Sequence, residues 1–340
     1  MRAVVLVGGA GTRLQPLTQG VPKALVPVVG RPLIEHVLAG LRQYGITRIS
    51  FGLTRTNAAI EQHLGSGGGL GLQLDYVYED EAVGSGGAIR NVAARWSEPF
   101  LVLNGDIISD IDFGAFIRFH AKGEAAVSMV LCGVEDPSRY GVALLDSTGS
   151  ITEFVEKPAR EVAPSHQINA GVWLFDQAVL ARIPAAGYSR VEDELFPRLI
   201  RPDGGGLRGF QHPGYWMDVG TLASYHEANM DLLRAPLGLE ARGERDLARS
   251  GPVVIDPSAT VEPGADLRGP LMIGPGCRIS AGAVVRESVL WDGVRIGAGA
   301  FVERAVLATG VSVRSGARLL GGVVPAGEDL APGEAVAFEF

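Results

Sequence analysis

Glycines and cations follow the first hydrophobic run of the chain at close spacing. The segment 8–11 supplies three glycines directly after the β-branched and apolar residues 2–7, and Arg13 and Lys23 come next. Glycines let the backbone turn sharply and bring its N–H groups close to an anion. Because Arg13 and Lys23 add fixed positive charge, this loop is typical of a polyphosphate site at the end of a buried strand.

The loop lacks two common phosphate-binding patterns. It has no Gly-Lys-Ser/Thr ending, and Gly9-Ala10-Gly11 lacks the third glycine of the dinucleotide fingerprint. Residues 8–18 instead read Gly-Gly-Ala-Gly-Thr-Arg-Leu-Gln-Pro-Leu-Thr, and Pro22-Lys23 follow. This pattern resembles the signature of the sugar-phosphate nucleotidyltransferases, which join an NTP to a sugar 1-phosphate and release pyrophosphate. The alternative is a glycine-rich surface turn with a solvated arginine and lysine.

The reaction that the resemblance implies needs positive charge more than a nucleophile with its own base. A sugar 1-phosphate is already an anion near neutral pH, so its oxygen can attack the α-phosphate in line without a general base. By the resemblance, Arg13 stabilises charge on the α-phosphate, whereas Lys23 and Lys157 hold the phosphates. We therefore expect Arg13, Lys23 and Lys157 to be the catalytic residues.

Two aspartates are candidates for a metal site. Asp106 follows an apolar run, and Asp218 follows Tyr215-Trp216-Met217, at the places where the resembled family has its metal-binding aspartates. Carboxylate oxygens suit Mg²⁺, which bridges to substrate phosphates, so Mg²⁺ is the expected cofactor. The alternatives are a turn-forming aspartate at 106 and a helix N-cap near 218.

The resemblance also assigns residues to the sugar phosphate. Glu156-Lys157-Pro158 matches an element whose lysine meets the phosphate and whose glutamate bonds sugar hydroxyls, and Asn169-Ala170-Gly171 resembles another sugar-contacting element. An exposed turn, a simple loop and helix capping by Glu192 or Asp193 remain the alternatives. The expected sugar-phosphate-binding residues are Gly105, Glu156, Lys157, Asn169, Gly171 and Asp193.

The nucleotide is expected to bind at the first loop and at a second glycine-rich segment. Gly84-Ser85-Gly86-Gly87 opens a helical stretch, and in the resembled family this region holds the base and ribose with a nearby side chain such as Glu79. A flexible lead-in to the helix is the alternative. The expected nucleotide-binding residues are Leu6, Gly8, Gly9, Gly11, Thr12, Glu79, Gly84 and Ser85.

The elements that must position these residues alternate between strand and helix up to about residue 230. Apolar runs predict strands, and amphipathic stretches between them predict helices, which indicates a Rossmann-like α/β fold with a mostly parallel sheet. The expected strands are 2–7, 49–53, 72–77, 100–103, 151–155 and 172–175, and the expected helices are 32–44, 88–96 and 113–120.

The second half of the chain carries a six-residue apolar repeat with Gly and Pro corners between its members, which is typical of a left-handed parallel β-helix. A sandwich of alternating strands would show a period of two instead. The repeat runs through Ile255, Val261, Leu267, Ile273, Ile279 and Val285 and continues, after single-residue slips, at Leu290, Ile296, Val302, Leu307, Val313 and Leu319. We expect a catalytic domain over 1–233, a linker over 234–251, the β-helix over 252–325 and a tail over 326–340.

Composition limits the partners. The chain has 340 residues, of which 46% are hydrophobic and 20% charged, with a net charge of −8, which disfavours nucleic acid or an anionic membrane as the main partner. Cys132 and Cys277 lie far apart and suggest neither a disulfide framework nor a zinc site. With no signal-like or membrane-spanning apolar run, we expect a soluble cytoplasmic protein that forms a homo-oligomer through the β-helix.

Two short segments indicate the substrates, and the histidine content of the second half bears on an alternative function. Residues 22–28 and 84–89 look most like guanylyltransferases for mannose or heptose 1-phosphate, so we expect GTP and mannose 1-phosphate. Heptose, glucose or cyclitol 1-phosphate with dTTP, UTP, CTP or ATP is the alternative, as is a non-catalytic regulatory subunit. An acyltransferase activity of the β-helix would need a histidine base, and residues 251–340 contain no histidine.

Overall fold

In the computed structural model, which describes residues 1–9, 11–239, 241–246, 249–332 and 340, the first strand lies inside a mixed sheet. The strands up to residue 218 are β1 (Arg2–Leu6), β2 (Pro27–Val28), β3 (Arg31–Pro32), β4 (Arg48–Thr54), β5 (Gln73–Glu79), β6 (Phe100–Asn104), β7 (Ile107–Ser109), β8 (Val127–Gly133), β9 (Gly141–Leu145), β10 (Ile151–Glu156), β11 (Gln167–Phe175), β12 (Leu207–His212) and β13 (Trp216–Asp218). The helices are α1 (Leu33–Gln43), α2 (Ala59–Leu64), α3 (Gly84–Ala93), α4 (Phe113–Ala121), α5 (Phe196–Leu199) and α6 (Leu222–Arg234).

The described residues divide into two compact units. The first contains Met1–Gly9 and Val37–Trp216, and the second contains Ala10–His36 and Met217–Phe340. The loop after β1 therefore begins in the first unit and continues in the second. None of the described helices combines the length and the hydropathy that a membrane-crossing helix needs.

The sheet of the first unit runs in the order β10-β9-β11-β6-β1-β4-β5, and β8 joins β11 to β12. β1 is parallel to β4 and β6, β4 is parallel to β5, and β11 is antiparallel to β6. The middle of β1 is fully buried, which accounts for its continuous Ala-Val-Val run. From β1 the chain turns to β4 on one side and later to β6 on the other, so the sheet has a topological switch point beside β1.

Aromatic side chains of β6, β11 and α5 pack together in the core of the first unit. Phe100 stacks on Phe175 with ring centroids 5.7 Å apart, and Trp173 meets Phe196 edge-on at 5.4 Å. All four side chains are fully buried. This dense core anchors β6 and β11, and through them the loops at the carboxyl end of β6.

The second unit contains a coiled stack of short strands. They are β14 (Glu244–Arg245), β15 (Val253–Ile255), β16 (Thr260–Val261), β17 (Asp266–Arg268), β18 (Leu271–Ile273), β19 (Arg278–Ile279), β20 (Val284–Arg286), β21 (Val289–Leu290), β22 (Arg295–Ile296), β23 (Phe301–Leu307), β24 (Ser312–Val313), β25 (Arg318–Val324) and β26 (Asp329–Leu330). These strands are parallel to one another except that β14 is antiparallel to β15.

Every third member of the apolar repeat pairs with the next coil. Val261 pairs with Ile279, Ile279 with Ile296, Ile296 with Val313, and Val313 with Leu330. The sequence-predicted fold class, a mostly parallel α/β sheet followed by a parallel β-helix, is thereby confirmed. β26 lies within the expected tail, part of which (333–339) is outside the described residues, and the domain boundaries stay predictions.

Candidate functional site

A cavity of about 330 Å³ lies in the first unit at the switch-point edge of the sheet. Parallel strands β1, β4, β5 and β6 all end there, in the register Leu6–Asn104, Leu6–Gly52 and Thr54–Glu79. The lining residues are Leu6, Gly8, Gly9, Gly52, Thr54, Glu79, Ala82, Val83, Gly84, Ser85, Ala88, Asn104, Asp106 and Tyr188. The predicted nucleotide-binding residues of this unit and the predicted metal ligand Asp106 therefore line one cavity.

The glycines at and near this cavity differ in the space around them. A Cβ built on Gly8 or Gly9 would meet no described protein atom within 4 Å, so their lack of a side chain leaves room on the cavity side. A Cβ at Gly105 would overlap Val7, whose neighbour Leu6 accepts the Gly105 amide at 2.8 Å. Gly105 is thus required by the close approach of β1 and the β6 loop, and it does not line the cavity.

Glu79 is the acidic side chain at the end of β5. Burial raises the pKa of its carboxyl, although hydrogen bonds from the Asn91 side chain and the Val83 amide partly oppose this effect. Its Oε1 is buried without a hydrogen-bond partner among the described residues. A buried carboxylate oxygen in this state carries an uncompensated desolvation cost, which a ligand with N–H donors would relieve.

The Ser85 hydroxyl forms hydrogen bonds with neighbouring protein groups. Its Oγ donates to Glu192 Oε2 at 2.7 Å and accepts the Val191 amide at 3.1 Å. Burial raises the pKa of Glu192, and the hydrogen bond from Ser85 opposes that rise. Ser85 thus lines the cavity and also ties the start of α3 to the short π-helix Val191–Leu195.

Arg190 forms ion pairs with the carboxylates that are expected near the sugar. Its guanidinium lies 3.2 Å from Glu156, 3.0 Å from Asp193 and 3.7 Å from Glu192. Lys157 Nζ lies 3.5 Å from Glu156, and 57% of the lysine side chain is exposed. The structure therefore brings the predicted residues Glu156, Lys157 and Asp193 together around an arginine that the sequence analysis missed.

The start of β11 approaches the loop of β6. Asn169 Oδ1 accepts the Gly171 amide at 3.0 Å and the Trp173 indole N–H at 2.8 Å, which fixes the Asn169 side chain. Gly171 has a φ of +70°, and a Cβ there would lie 2.5 Å from Asn104 Nδ2. Asn104 lines the cavity, so it connects the expected sugar element with the expected nucleotide site.

Residues 11–23, which continue the glycine-rich loop after β1, belong to the second unit. Gly11 is left-handed with a φ of +63°, and a Cβ there would lie 3.0 Å from Thr18 Cγ2 and 3.1 Å from Lys23 Cβ. Thr18 Oγ1 donates to the Gly11 carbonyl at 2.9 Å. Thr12 and Arg13 follow in an exposed 3₁₀ turn. The glycine is therefore needed so that this turn can lie against Lys23.

Lys23 and Asp218 form an ion pair within the second unit. Nζ of Lys23 lies 3.9 Å from Oδ1 of Asp218. Asp218 is not the N-cap of α6, because Thr221 has that role and accepts the Ser224 amide in a capping box. The helix-cap alternative for Asp218 is therefore wrong, and its carboxylate is held beside a cation of the loop.

The donor chemistry fits a hard divalent cation. Asp106 and Asp218 are half-buried carboxylates, and no described group of three or more His, Cys, Asp or Glu side chains could hold a metal alone. Mg²⁺ is commonly held by one or two carboxylates together with substrate phosphates and water, so each carboxylate is of a kind that Mg²⁺ binds, and a shared metal site stays a prediction.

Several lining residues were not foreseen. Thr54, Asn104 and Tyr188 line the cavity, and Arg190 joins the acidic cluster. Thr54 and Asn104 directly follow the predicted strands 49–53 and 100–103, and that position was the signal that could have identified them. Tyr188 and Arg190 lie outside any recognised motif and are located only by the fold.

Two family models match the chain. The nucleotidyl transferase model covers residues 2–235, and the GMPPB C-terminal domain model covers residues 249–337. A mannose-1-phosphate guanylyltransferase of Mycobacterium tuberculosis is 36% identical over 293 residues, with 86% of this chain and 80% of that protein covered. A UTP–glucose-1-phosphate uridylyltransferase of Synechocystis is 30% identical, with 86% and 83% covered.

Solved structures agree with these matches. A Bacillus anthracis protein described as a candidate glucose-1-phosphate thymidylyltransferase has a TM-score of 0.61 and 30% identity, covering 67% of this chain and 94% of that one. HddC from Yersinia pseudotuberculosis in complex with GMP-PN has a TM-score of 0.58 and 25% identity, covering 68% and 99%.

Proposed function

The chain belongs to the nucleotidyl transferase family, as a sugar-1-phosphate nucleotidyltransferase, and on this basis we propose that its substrates are GTP and mannose 1-phosphate. The products are then GDP-mannose and pyrophosphate. The phosphate oxygen of mannose 1-phosphate attacks the α-phosphorus of GTP, and the bond to the β-phosphate breaks in line with it. The similarity to guanylyltransferases supports this pair of substrates.

The observation that carries the choice of GTP is the buried acceptor of Glu79 at the cavity. The hydrogen-bonding edge of guanine offers two adjacent donors, the N1–H and the N2 amine, and a carboxylate accepts both. Adenine, cytosine, uracil and thymine do not present two adjacent donors there. Rotation of the terminal torsions of Glu79 would turn its oxygens toward the cavity that the residue lines, and the bonds to guanine would replace those from Asn91 and the Val83 amide.

We propose that the cationic side chains of the site bind the phosphates of the two substrates. Arg13 and Lys23 stabilise the negative charge that develops around the α-phosphate and the departing pyrophosphate, and Lys157 meets the sugar phosphate. Exposure of Arg13 and Lys157 leaves both side chains accessible to a ligand. The sugar hydroxyls are assigned to Glu156 and Asn169, which Arg190 and the Trp173 indole hold in place.

Mg²⁺ is the proposed cofactor, and Asp106 and Asp218 are the residues that would hold it. When bound, the ion neutralises phosphate charge. Lys23 lies beside Asp218 and offsets part of the charge of that carboxylate. Self-association through the β-helix also stays a prediction, which light scattering on the purified protein would test.

The test is a matrix of GTP, ATP, UTP, CTP and dTTP against mannose, glucose and heptose 1-phosphate and a cyclitol phosphate, with Mg²⁺ and detection of released pyrophosphate. The highest kcat/KM is expected for GTP with mannose 1-phosphate. A higher value for another pair overturns the proposed substrates. No turnover with any pair would instead favour the non-catalytic regulatory subunit.

A further inference from the structure

A strained turn follows the catalytic lysine within the second unit. β2 and β3 form a hairpin whose two connecting residues, Val29 and Gly30, both have positive φ values of +43° and +75°. The left-handed region is unfavourable for a β-branched residue such as Val29. Such a conformation persists only where the surroundings hold it, and it points to a functional role for the segment.

Helix α6 holds this turn through buried polar side chains. Asn229 is fully buried, and its Oδ1 accepts the Val29 amide at 2.7 Å. Asn229 Nδ2 donates to the Tyr225 carbonyl at 2.8 Å, which fixes the orientation of the amide. The Tyr225 hydroxyl, also fully buried, donates to the carbonyl of Pro27.

The β-helix supports Tyr225 from the other side. Trp291 is 8% exposed, and its indole N–H donates to the Tyr225 hydroxyl oxygen at 2.9 Å. Burial raises the pKa of the Tyr225 phenol, so the hydroxyl stays protonated and can donate to Pro27 while it accepts from Trp291. A continuous chain of hydrogen bonds therefore runs from the β-helix to the backbone of β2.

Two further contacts join the same parts of this unit. A Cβ at Gly30 would lie 2.6 Å from Met272 Cε, so the hairpin packs directly on β18. His226 Nε2 lies 2.8 Å from the carbonyl oxygen of Glu287 in the β-helix. The hairpin, α6 and the β-helix are thus packed as one body.

Lys23 is four residues before the carbonyl that Tyr225 binds. Lys23 begins the 3₁₀ turn Lys23–Leu25, and its carbonyl accepts the Val26 amide at 3.1 Å. The Val26 carbonyl accepts the Leu33 amide at 3.0 Å. The backbone between Lys23 and Pro27 therefore has little freedom of its own. We therefore expect a shift of Pro27 to displace Lys23 as well.

We propose that Trp291 of the β-helix is a positioning residue for Lys23 and that it acts through the hydroxyl of Tyr225. The proposal rests on the proposed function for the role of Lys23 in phosphate transfer. It assigns the β-helix a part in catalysis, because one of its corners fixes the segment that carries a phosphate-binding lysine.

The test compares Trp291→Phe, Tyr225→Phe and the double variant in steady-state kinetics. Trp291→Phe removes the N–H donor and keeps an aromatic ring. Its kcat is expected to fall by about 10-fold, because a small misplacement of a catalytic group is costly, while the KM for GTP changes little. Trp96→Phe is the matched control, since Trp96 lies in the other unit with its ring edge-on to Phe100, and its kcat is expected to stay at the wild-type value.

The double variant separates positioning from general stability. If Trp291 acts through the Tyr225 hydroxyl, the double variant is no slower than Tyr225→Phe alone, whereas independent losses would multiply. Amide hydrogen exchange of residues 23–29 should also speed up in Trp291→Phe, with unchanged protection in β22 and β24. If Trp291→Phe fails to fold, Tyr225→Phe carries both measurements, because it removes a single buried oxygen.

The outcomes separate this inference from the substrate assignment. A kcat of Trp291→Phe equal to that of Trp96→Phe, multiplying losses, or unchanged exchange at 23–29 overturns the positioning role. A wild-type protein without turnover on any substrate pair contradicts the proposed function instead. In that case the exchange measurement still decides whether the β-helix holds the hairpin.

Discussion

Nζ of Lys23 lies 3.9 Å from Oδ1 of Asp218, and only 12% and 17% of these side chains are exposed. Partial burial weakens solvent screening, so this pair interacts more strongly than a surface pair. If Lys23 binds the substrate phosphates as proposed, Lys23→Met removes one cation from them and leaves the Asp218 carboxylate without this ion-pair partner. We expect kcat to fall by about 100- to 1,000-fold, as for loss of one preorganised donor to a developing anion.

Lys122→Met is the matched control for that variant, because Lys122 is exposed at the end of α4. It removes the same charge from the chain and is expected to leave kcat unchanged. Equal kcat values for the two variants would show that Lys23 has no special role in phosphate transfer.

Glu79→Gln tests recognition of the base. The amide keeps the shape of the side chain but offers one acceptor and an N–H₂ group that opposes the guanine donors. Because hydrogen bonds to a charged acceptor are the stronger kind, the KM for GTP should rise by about 10- to 100-fold. An unchanged KM for GTP would show that Glu79 does not bind the base.

The same residue predicts a pH dependence. Burial raises the pKa of the Glu79 carboxyl, so protonation begins at a higher pH than for an exposed glutamate. Protonation removes the paired acceptor, so the KM for GTP should rise as the pH falls through this raised pKa. The Glu79→Gln variant, which cannot titrate at this position, should lack that part of the profile.

Arg190→Ala tests the acidic cluster at the sugar side. Without the guanidinium, Glu156, Glu192 and Asp193 repel one another, and Glu156 loses the partner that orients it. We expect kcat/KM for mannose 1-phosphate to fall by about 10- to 100-fold, mostly through KM. Arg160→Ala, which removes a surface pair with Glu135, should be neutral, and equal losses in both variants would contradict the assignment.

Gly84→Ala tests stability at the opening of α3. Gly84 has a φ of +76°, and a Cβ there would overlap the carbonyl of Ser189. Gly276 in the β-helix has a φ of +65° with no described atom within 4 Å of such a Cβ, so Gly276→Ala reports the cost of the φ angle alone, about 1–2 kcal/mol. In urea unfolding, Gly84→Ala should lose more stability than Gly276→Ala, and an equal loss would mean that the Ser189 backbone yields freely.

Local patterns in the sequence were sufficient for the fold class. The apolar run of β1 and the six-residue repeat each depend on near neighbours, and the pairing of Ile279 with Ile296 follows from the repeat. The end of β6 was also predictable and placed Asp106 at the carboxyl edge of a parallel sheet, whereas Glu79 was indicated only by the family resemblance.

Long-range contacts could not be read in this way. The bond from Ser85 to Glu192 spans 107 residues, and that from Val29 to Asn229 spans 200. Such contacts depend on how the elements pack, and no spacing in the sequence encodes them. For the same reason the sequence analysis missed Arg190, whose three carboxylate neighbours meet only in the folded chain.

Oxygen labelling follows the phosphate of mannose 1-phosphate through its proposed attack on the α-phosphorus of GTP. The protein is incubated with GTP, Mg²⁺ and mannose 1-phosphate whose phosphate oxygens carry ¹⁸O, and both products are analysed by mass spectrometry. All the label is expected in GDP-mannose and none in pyrophosphate. Label in the released pyrophosphate, or GDP-mannose without label, would contradict the proposed attack.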